Sequence, residues 1–405
     1  MPTLHSSPHE SSGTARSTVV ALEADKPPVS FSRFAELQTW RMLGLVTAIA
    51  VMFAIFNFLT GGLFFTPRNL SNLSVQTSVT ALLTVGMTWL MVARQIDLSG
   101  GALIALLGVL VAKCQATLGW PLGATLAAAL ALGLLVGLVQ GFIITRLAIP
   151  AFIATLAAFS YLRGAAFIAS DGMTIAGLGD GFSMIANTNV PVVVSVVVFL
   201  FAGAIVATRK VMSWMKAENK RKTRPVDVVA TVVFGLCTLV GAWAFGAYRG
   251  IPSPVVAFLV VIGAATFVAN NTAFGRHIYA IGANPEAARR VGINVKGMLM
   301  ALFVLSSLLA TLGALIQTSR LDAGSPGTAE FLALDAISAS VIGGTSLFGG
   351  RGTVAGSALG ALLMSTIANG LSIMGTNTYW QLVTTGALLV AALTIDRVTN
   401  RGEQA

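Results

Sequence analysis

The sequence has few charged residues. Lysine, arginine, aspartate and glutamate make up 10% of its 405 residues, whereas soluble globular proteins carry about 25%. This low share excludes a water-soluble enzyme. Hydrophobic residues make up 55% and the mean hydropathy is +0.83. The chain also has 42 glycines, which are more frequent in transmembrane helices than in soluble ones. The composition predicts an all-α, polytopic helical bundle in a membrane.

Residues that bind metals or form disulfides are also scarce. The two cysteines, Cys114 and Cys237, lie in separate apolar segments, and there are only three histidines. Their spacing fits neither a metal site nor a disulfide framework. The G-x-x-x-x-G-K-[ST] motif, whose backbone N–H groups hold nucleotide phosphates, is missing too. We therefore expect no metal, no cofactor and no ATP hydrolysis in this chain.

Apolar stretches recur along the chain. A helix needs about 20 residues to cross about 30 Å of hydrocarbon. This rule predicts twelve spans, near residues 42–65, 73–93, 98–112, 121–145, 150–170, 191–208, 228–248, 254–275, 298–319, 336–349, 353–374 and 379–395. The third and tenth are short and flanked by glycine, which is typical of tilted, broken or re-entrant helices buried in protein.

The positions of the basic residues predict the orientation, because cytoplasmic loops carry the excess of lysine and arginine. With the amino terminus inside, inner segments hold 20 of the 25 basic residues, seven of them in loop 209–227. Residues 1–40 are then a disordered cytoplasmic tail, 41–397 the transmembrane domain and 398–405 a second cytoplasmic tail. The net charge of +10 follows from this topology, so we expect no nucleic-acid partner.

The inner loop 276–297 has a strong local helix signal. Asn284 suits an N-cap, Pro285 the first helical position and Glu286 the positive end of the helix dipole, and Gly292 predicts the stop. Such a helix of about two turns is too short to be stable alone in water. It therefore fits a docking element for a partner's groove. An ordinary loop with one helical turn is the alternative that these residues leave open.

Ionisable residues near the spans form a second group of candidates, because charge at bilayer depth is costly and is usually functional or paired. They are Arg94 and Asp97 in the turn before the third span, Arg163 in the fifth span and Asp335 at the head of the tenth. Structural pairing and substrate contact both remain open for each. No array of intramembrane carboxylates is present, which argues against a proton-coupled secondary transporter.

Glycine recurs at every fourth position in two of the spans. The positions are Gly133, Gly137 and Gly141, and then Gly352, Gly356 and Gly360. Such rows of small residues let helix backbones approach closely. Tight packing inside one bundle is the favoured explanation, and a dimer interface or a moving contact is the alternative.

Four ordered runs carry a family resemblance. They are VGMTWLMVARQIDLSGGALIALLG (85–108), IPAFIATLAAFSYLRGAAF (149–167), FGRHIYAIGANPEAARRVGINV (274–295) and LDAISASVIGGTSLFGGRGTVAGSALGALL (334–363). Over residues 42–395 the chain resembles the permease subunits of bacterial ATP-binding-cassette importers for pentoses and hexoses, and the xylose-type members most. One departure is the turn QIDLSGG, since the family's usual sequence is GGIDLSVGS and Arg94 stands here where small residues are usual.

The resemblance implies a permease that moves a monosaccharide, of the xylose type, by alternating access. It implies a ten-span core expanded to twelve by residues 191–248, in the bacterial inner membrane. The implied partners are an ATP-binding subunit that holds ATP and Mg, a periplasmic sugar-binding protein, a second permease copy and lipid. The coupling helix that docks on the ATPase would comprise Asn284, Pro285, Glu286, Ala287, Ala288, Arg289, Arg290, Gly292 and Ile293.

The path of a neutral sugar needs hydrogen-bonding groups. The candidate residues of this path are Asp97, Ser99, Arg163, Gln76 and Asn369. The outer segments are all shorter than the roughly 50 residues that a domain needs, so we expect a soluble partner to capture the sugar. Its candidate docking residues are Asp322, Glu330 and Asp335.

Three alternative functions stay open at this point. The first is a permease of the same family for another solute, such as ribose, galactose or a furanosyl signal. The second is a secondary transporter or channel that works alone. The third is a membrane scaffold that transports nothing. Copurification of an ATPase and sugar-stimulated hydrolysis would favour the importer over the last two.

Overall fold

The computed structural model describes residues 31–216 and 225–404. Over these ranges the chain forms fifteen α-helices and one antiparallel pair of short strands. The helices are α1 Phe31–Leu59, α2 Pro67–Val92, α3 Gly100–Ala112, α4 Leu122–Thr145, α5 Ala151–Ser170, α6 Asp180–Asn187, α7 Val192–Lys216, α8 Pro225–Gly246, α9 Ser253–Asn271, α10 Ala273–Ala283, α11 Pro285–Arg290, α12 Val295–Leu321, α13 Leu332–Ile342, α14 Val354–Ile373 and α15 Thr378–Gln404. The strands are β1 Ile175–Ala176 and β2 Ala323–Gly324.

Long apolar helices dominate this fold. Among the described residues, nine helices are long and apolar enough to cross a membrane. Shorter apolar helices lie at Val192–Thr208, Leu332–Ile342 and Tyr379–Ala391. Each of the twelve predicted spans overlaps one of these helices, so the predicted all-α membrane bundle is confirmed.

The two short predicted spans differ from each other. A π-helical turn, Lys113–Thr117, extends α3 to an 18-residue span, Gly100–Thr117. By contrast, α13 has 11 residues, about 16 Å at 1.5 Å per residue, which is too short for the hydrocarbon core. Turns and irregular backbone continue it to residue 353. Only the segment predicted at 336–349 is therefore a broken helix.

The predicted tails and the basic loop need correction at their ends. Residues 31–40 belong to α1, and α15 continues to Gln404. In the loop predicted at 209–227, α7 runs to Lys216 and α8 starts at Pro225. Hydropathy detects only the apolar part of a helix, whereas charged residues with good helix propensity prolong it into water. Residues 1–30, 217–224 and 405 lie outside the described ranges.

Helix α2 lies at the centre of the bundle, where it packs against α9, α12, α13 and α14. Most of its residues are buried, including several threonines. The hydroxyls of Thr84 and Thr88 each donate to the carbonyl four residues earlier, both at 2.7 Å. This bonding inside the helix satisfies the hydroxyl groups, so α2 can bury them among apolar neighbours.

The two rows of glycine lie at helix contacts within the chain. A Cβ atom on Gly137 of α4 would lie 2.7 Å from Val304 Cα of α12. One on Gly360 of α14 would lie 2.0 Å from the carbonyl oxygen of Ala339 in α13. Both contacts confirm the predicted close packing inside one bundle.

Helices α7 and α8 form a pair at the edge of the bundle. They pack mainly on each other, with Phe199 stacked on Phe245 at 5.5 Å between ring centroids. Their contacts with the rest of the chain include Trp243, which stacks on Phe65 of the α1–α2 turn at 5.5 Å between ring centroids. The residues just before α7 and just after α8 lie side by side, because Val190 N donates to Ile251 O at 2.8 Å.

Candidate functional site

The predicted short helix is present as α11. The Asn284 side-chain oxygen accepts hydrogen bonds from the backbone N–H groups of Glu286 and Ala287, both at 3.0 Å. Pro285 occupies the first helical position, and Gly292 follows the helix with a φ of 87°. This left-handed conformation is readily adopted by glycine, which explains the stop at that residue.

Most of the α11 surface is exposed. Ala288 is buried against the bundle, whereas Glu286, Ala287, Arg289 and Arg290 are exposed, and Pro285 and Ile293 are partly buried. Val291, the residue that ends the helix, is 78% exposed. Sequence reasoning missed Val291, although an aliphatic residue between Arg290 and Gly292 is a detectable signal. The helix thus presents one apolar side chain within a charged, unpartnered surface.

A polar cavity of about 160 Å³ lies inside the bundle, away from α11. Gln76 and Thr80 of its wall lie in the first half of α2, and Arg320 lies at the end of α12. A smaller cavity of about 100 Å³ shares several residues with it, including Asp335 and Gln381. The polar residues lining the larger cavity are Gln76, Thr80, Gln317, Arg320, Asp335, Ser365 and Gln381.

Hydrogen bonds within the chain pair only some of the polar groups of this cavity. Thr385 donates to the Asp335 carboxylate at 3.1 Å, and Arg320 donates weakly to Gln317 at 3.4 Å. Among the described residues, the Ser365 hydroxyl is buried without a hydrogen bond. Buried polar groups are normally hydrogen-bonded, so this lining suits a ligand that carries many hydroxyl groups.

Gln76 is the predicted path residue that lines the cavity. Asp97 and Ser99 instead belong to a buried cluster between α2 and α3. The Asp97 carboxylate accepts from the Ser99 N–H at 2.8 Å and from the Ser99 hydroxyl at 2.6 Å. Gln140 of α4 donates to the same hydroxyl at 2.6 Å. These bonds fix the turn that leads into α3.

Arg163 and Asn369 also have partners outside the cavity. Arg163 pairs with Glu330 and lies over the ring of Phe159, 5.7 Å from its centroid. The Asn369 side-chain oxygen accepts from Asn69 at 3.0 Å. Both side chains are therefore paired with other residues of the chain.

The three predicted outer docking residues lie in different surroundings. Asp322, with a φ of 48°, accepts from Leu178 N at 3.2 Å and from Ser183 Oγ at 3.0 Å beside the β1–β2 pair. Glu330 pairs with Arg163, and Asp335 lines the cavity. Asp322 thus joins two loops at the end of the bundle opposite α11.

Helix α15 supplies cavity residues that sequence reasoning missed. Gln381 lines both cavities and Thr385 binds Asp335. Their spacing of four residues on an apolar helix places them on one face, which is the signal that could have identified them. Trp380 of the same helix is 63% exposed.

Comparisons with known proteins identify the family of this chain. The family described as branched-chain amino acid transport system / permease component matches residues 69–393. The xylose transport system permease protein XylH of Escherichia coli K12 is 37% identical over 88% of this chain and 92% of its own length. The XylH protein of Haemophilus influenzae Rd is 35% identical over 89% and 96%.

A relative named for a different sugar matches at lower identity. The ribose import permease protein RbsC of Escherichia coli K12 is 33% identical over 86% of this chain and 91% of its own length. No solved structure matches the chain significantly. The apolar helices and the family match together show that this chain is a multi-pass membrane protein and belongs to this family of permease components.

Proposed function

We propose that this chain is the permease subunit of an ATP-binding-cassette importer and that the imported solute is xylose. The observation that carries the proposal is the 37% identity to a xylose permease along nearly the whole of both chains. The ribose permease is less similar, at 33%. The function is therefore transport of a monosaccharide across the inner membrane, with no reaction on the sugar itself.

The cavity is the proposed part of the sugar path within this chain. A pentose is neutral and has donors and acceptors on every side, so amides, hydroxyls and a carboxylate can all bind it. Ser365 has an unpaired group there, and Gln76, Gln381 and Asp335 line the same space. In an alternating-access cycle, rigid-body movement of the lining helices would open this space to one side of the membrane and then to the other.

The two ends of the bundle are the proposed docking sites. The ATP-binding subunit, which would hold ATP and Mg, docks on α11, where Val291 enters its groove and Arg289 and Arg290 contact its rim. A sugar-loaded binding protein docks at the opposite end, near Asp322. The α11 end is cytoplasmic in this scheme, because the inner segments carry the excess of basic residues. A second permease copy completes the path.

Uptake of labelled sugar tests this function. The chain is reconstituted in liposomes with its ATP-binding subunit and binding protein, and import of xylose and ribose is measured with and without ATP. We expect ATP-dependent xylose import that exceeds ribose import. Faster ribose import would make the substrate assignment wrong. Import at the full rate without ATPase and binding protein would indicate an autonomous transporter.

A further inference from the structure

Three parts of the chain meet at one point near α11. We call it the three-way junction and define it as residues 92–95 at the end of α2, residues 282–283 at the end of α10 and residues 349–352 before α14. Gly350 N donates to Val92 O at 2.8 Å. A Cβ atom on Gly282 would lie 1.8 Å from that same Val92 oxygen. The backbones of the three parts are thus in direct contact.

Arg94 connects two of these parts through its side chain. Its Nε donates to the carbonyl of Gly282 at 2.6 Å, and its Nη2 donates to that of Ala283 at 2.7 Å. The last carbonyls of a helix have no partner within the helix and carry partial negative charge. Asn284, the next residue, ends α10 and caps α11. The guanidinium therefore fixes the residues from which α11 starts.

The backbone of Arg94 is in a costly conformation. Its φ is 62°, a left-handed value that glycine adopts more readily than any residue with a Cβ atom. Glycine would also complete the turn at lower cost. An arginine held in such a conformation indicates that the side chain has a role, and its two hydrogen bonds to α10 supply one.

The junction is connected to the cavity by two helices. Gln76 of the cavity wall lies 16 residues before Val92 in α2, about 24 Å at 1.5 Å per residue. Tyr279 of α10 donates its hydroxyl to Gly352 O at 2.7 Å, just before α14, which carries Ser365. Burial raises the pKa of Tyr279, so its phenol remains a donor at neutral pH. The end of α10 thus contacts the segments next to both helices that carry cavity residues.

We propose that Arg94 is a positioning residue for transport, which holds the base of α11 against the end of α2 so that a displacement of α11 moves the cavity-lining helices. The inference rests on the proposed function, since a docked ATPase supplies the displacement. Arg94 makes no contact with the sugar or with ATP in this scheme. Its loss uncouples ATP hydrolysis from import without preventing assembly.

The test is the Arg94→Gly variant in the complete complex. Glycine fits the left-handed backbone and removes both hydrogen bonds, so the fold should persist. Arg249→Gly is the matched control, because Arg249 also has a positive φ of 48° and its side chain lies over the ring of its neighbour Tyr248. The readouts are copurified ATPase, ATP hydrolysis stimulated by loaded binding protein, and xylose imported per ATP.

We expect Arg94→Gly to retain the ATPase and to lower xylose imported per ATP roughly tenfold or more, within the usual range of coupling between sites. Arg249→Gly should match the wild type. Arg94→Lys retains the charge but cannot bond both carbonyls as the guanidinium does, so an intermediate ratio is expected. An unchanged ratio in Arg94→Gly would overturn the proposal.

Hydrogen exchange of the isolated permease tests the same contact without transport. We expect Arg94→Gly to speed exchange of the amides in residues 284–292 and to leave those of α5 unchanged. Equal exchange in the variant and the wild type would show that Arg94 does not hold α11. If the wild-type complex imports no xylose, the proposed substrate fails, whereas the exchange result still decides the role of Arg94.

Discussion

The central helices and the α7–α8 pair are both apolar, but they differ in what their apolar surfaces contact. In α2, almost every residue faces another helix of the chain. In α8, few of the residues 228–246 are buried, and Val232, Leu236 and Leu239 are exposed, as expected of a surface that meets lipid. The polar sites also lie among the central helices. Residues of α2 line the cavity, and Val92 at the end of α2 accepts a hydrogen bond in the three-way junction. Similar hydropathy thus conceals two different structural roles.

The two regions also differ in their relation to the cavity. The cavity is lined by residues of α2, α12, α13, α14 and α15, together with Ala329 of the loop before α13. No described residue of the α7–α8 pair lines the cavity, and the two ends of the pair meet at the bridge between Asn189 and Pro252. We therefore expect folding and transport to depend on the central helices and to tolerate changes in the pair.

The largest effect is expected from valine at a central glycine. In Gly360→Val, the side chain would overlap the Ala339 carbonyl, because even a Cβ atom there lies 2.0 Å from that oxygen. Extra methylene groups in a well-packed core typically cost about 1–3 kcal/mol of stability. The contact here is with a backbone oxygen, which cannot move aside as a flexible side chain can. Folded protein should be lost in detergent-extract size-exclusion profiles.

Gly235→Val is the matched control for that change. A Cβ atom on Gly235 of α8 would meet nothing within 4 Å. The profile of this variant should therefore resemble that of the wild type. Equal losses in both variants would contradict the division between central helices and the α7–α8 pair.

The second-largest effect is expected from valine at Gly292, which lies outside the packed core. Gly292 has open space around it but a φ of 87°, so Gly292→Val should distort the end of α11 without disturbing the bundle. The folded yield should stay normal, whereas ATPase binding and xylose import should be lost. Copurification of the ATPase and import into liposomes measure both results.

Gly292→Asn serves as the control for backbone strain. Asparagine visits the left-handed region more readily than valine does, so this variant should retain most ATPase binding. If Gly292→Asn fails as completely as Gly292→Val, the side chain itself blocks docking and the strain argument is wrong.

The smallest effect is expected from removal of the α7–α8 pair. Val190 and Ile251 already lie side by side, so a short glycine linker can replace residues 192–249. The deletion removes the stack of Trp243 on Phe65 but no cavity residue. Xylose import should be largely retained, because the cavity, the three-way junction and α11 all lie outside the deleted segment. A complete loss with normal folding would give the pair a role in transport.

Spans and the short helix could be predicted from sequence because their signals are local. Apolar runs mark the spans, and the order Asn284, Pro285, Gly292 marks both ends of α11. The lengths of α1, α7 and α15 could not be predicted in this way, because charged residues continue a helix beyond its apolar part. Local signals thus give the number of helices better than their ends.

The cavity depends on distant residues and was only partly predictable. Gln76 and Gln381 lie about 300 positions apart in sequence and line the same space. By contrast, Arg163 is satisfied by Glu330 across 167 residues. Polarity alone cannot distinguish a side chain that is free to bind a ligand from one that has a partner. The distinction requires the three-dimensional packing of helices.

The central claim is that the cavity beside Gln381 is part of the sugar path, and blocking it tests this claim most directly. Cys114 and Cys237 are replaced by alanine, and Gln381→Cys is treated with a bulky thiol reagent before xylose import is measured. Tyr379→Cys is the control, since Tyr379 is 71% exposed on the same helix and does not line the cavity. We predict that labelling abolishes import in Gln381→Cys and leaves import by Tyr379→Cys unchanged. Full import through a completely labelled Gln381→Cys protein would contradict the account.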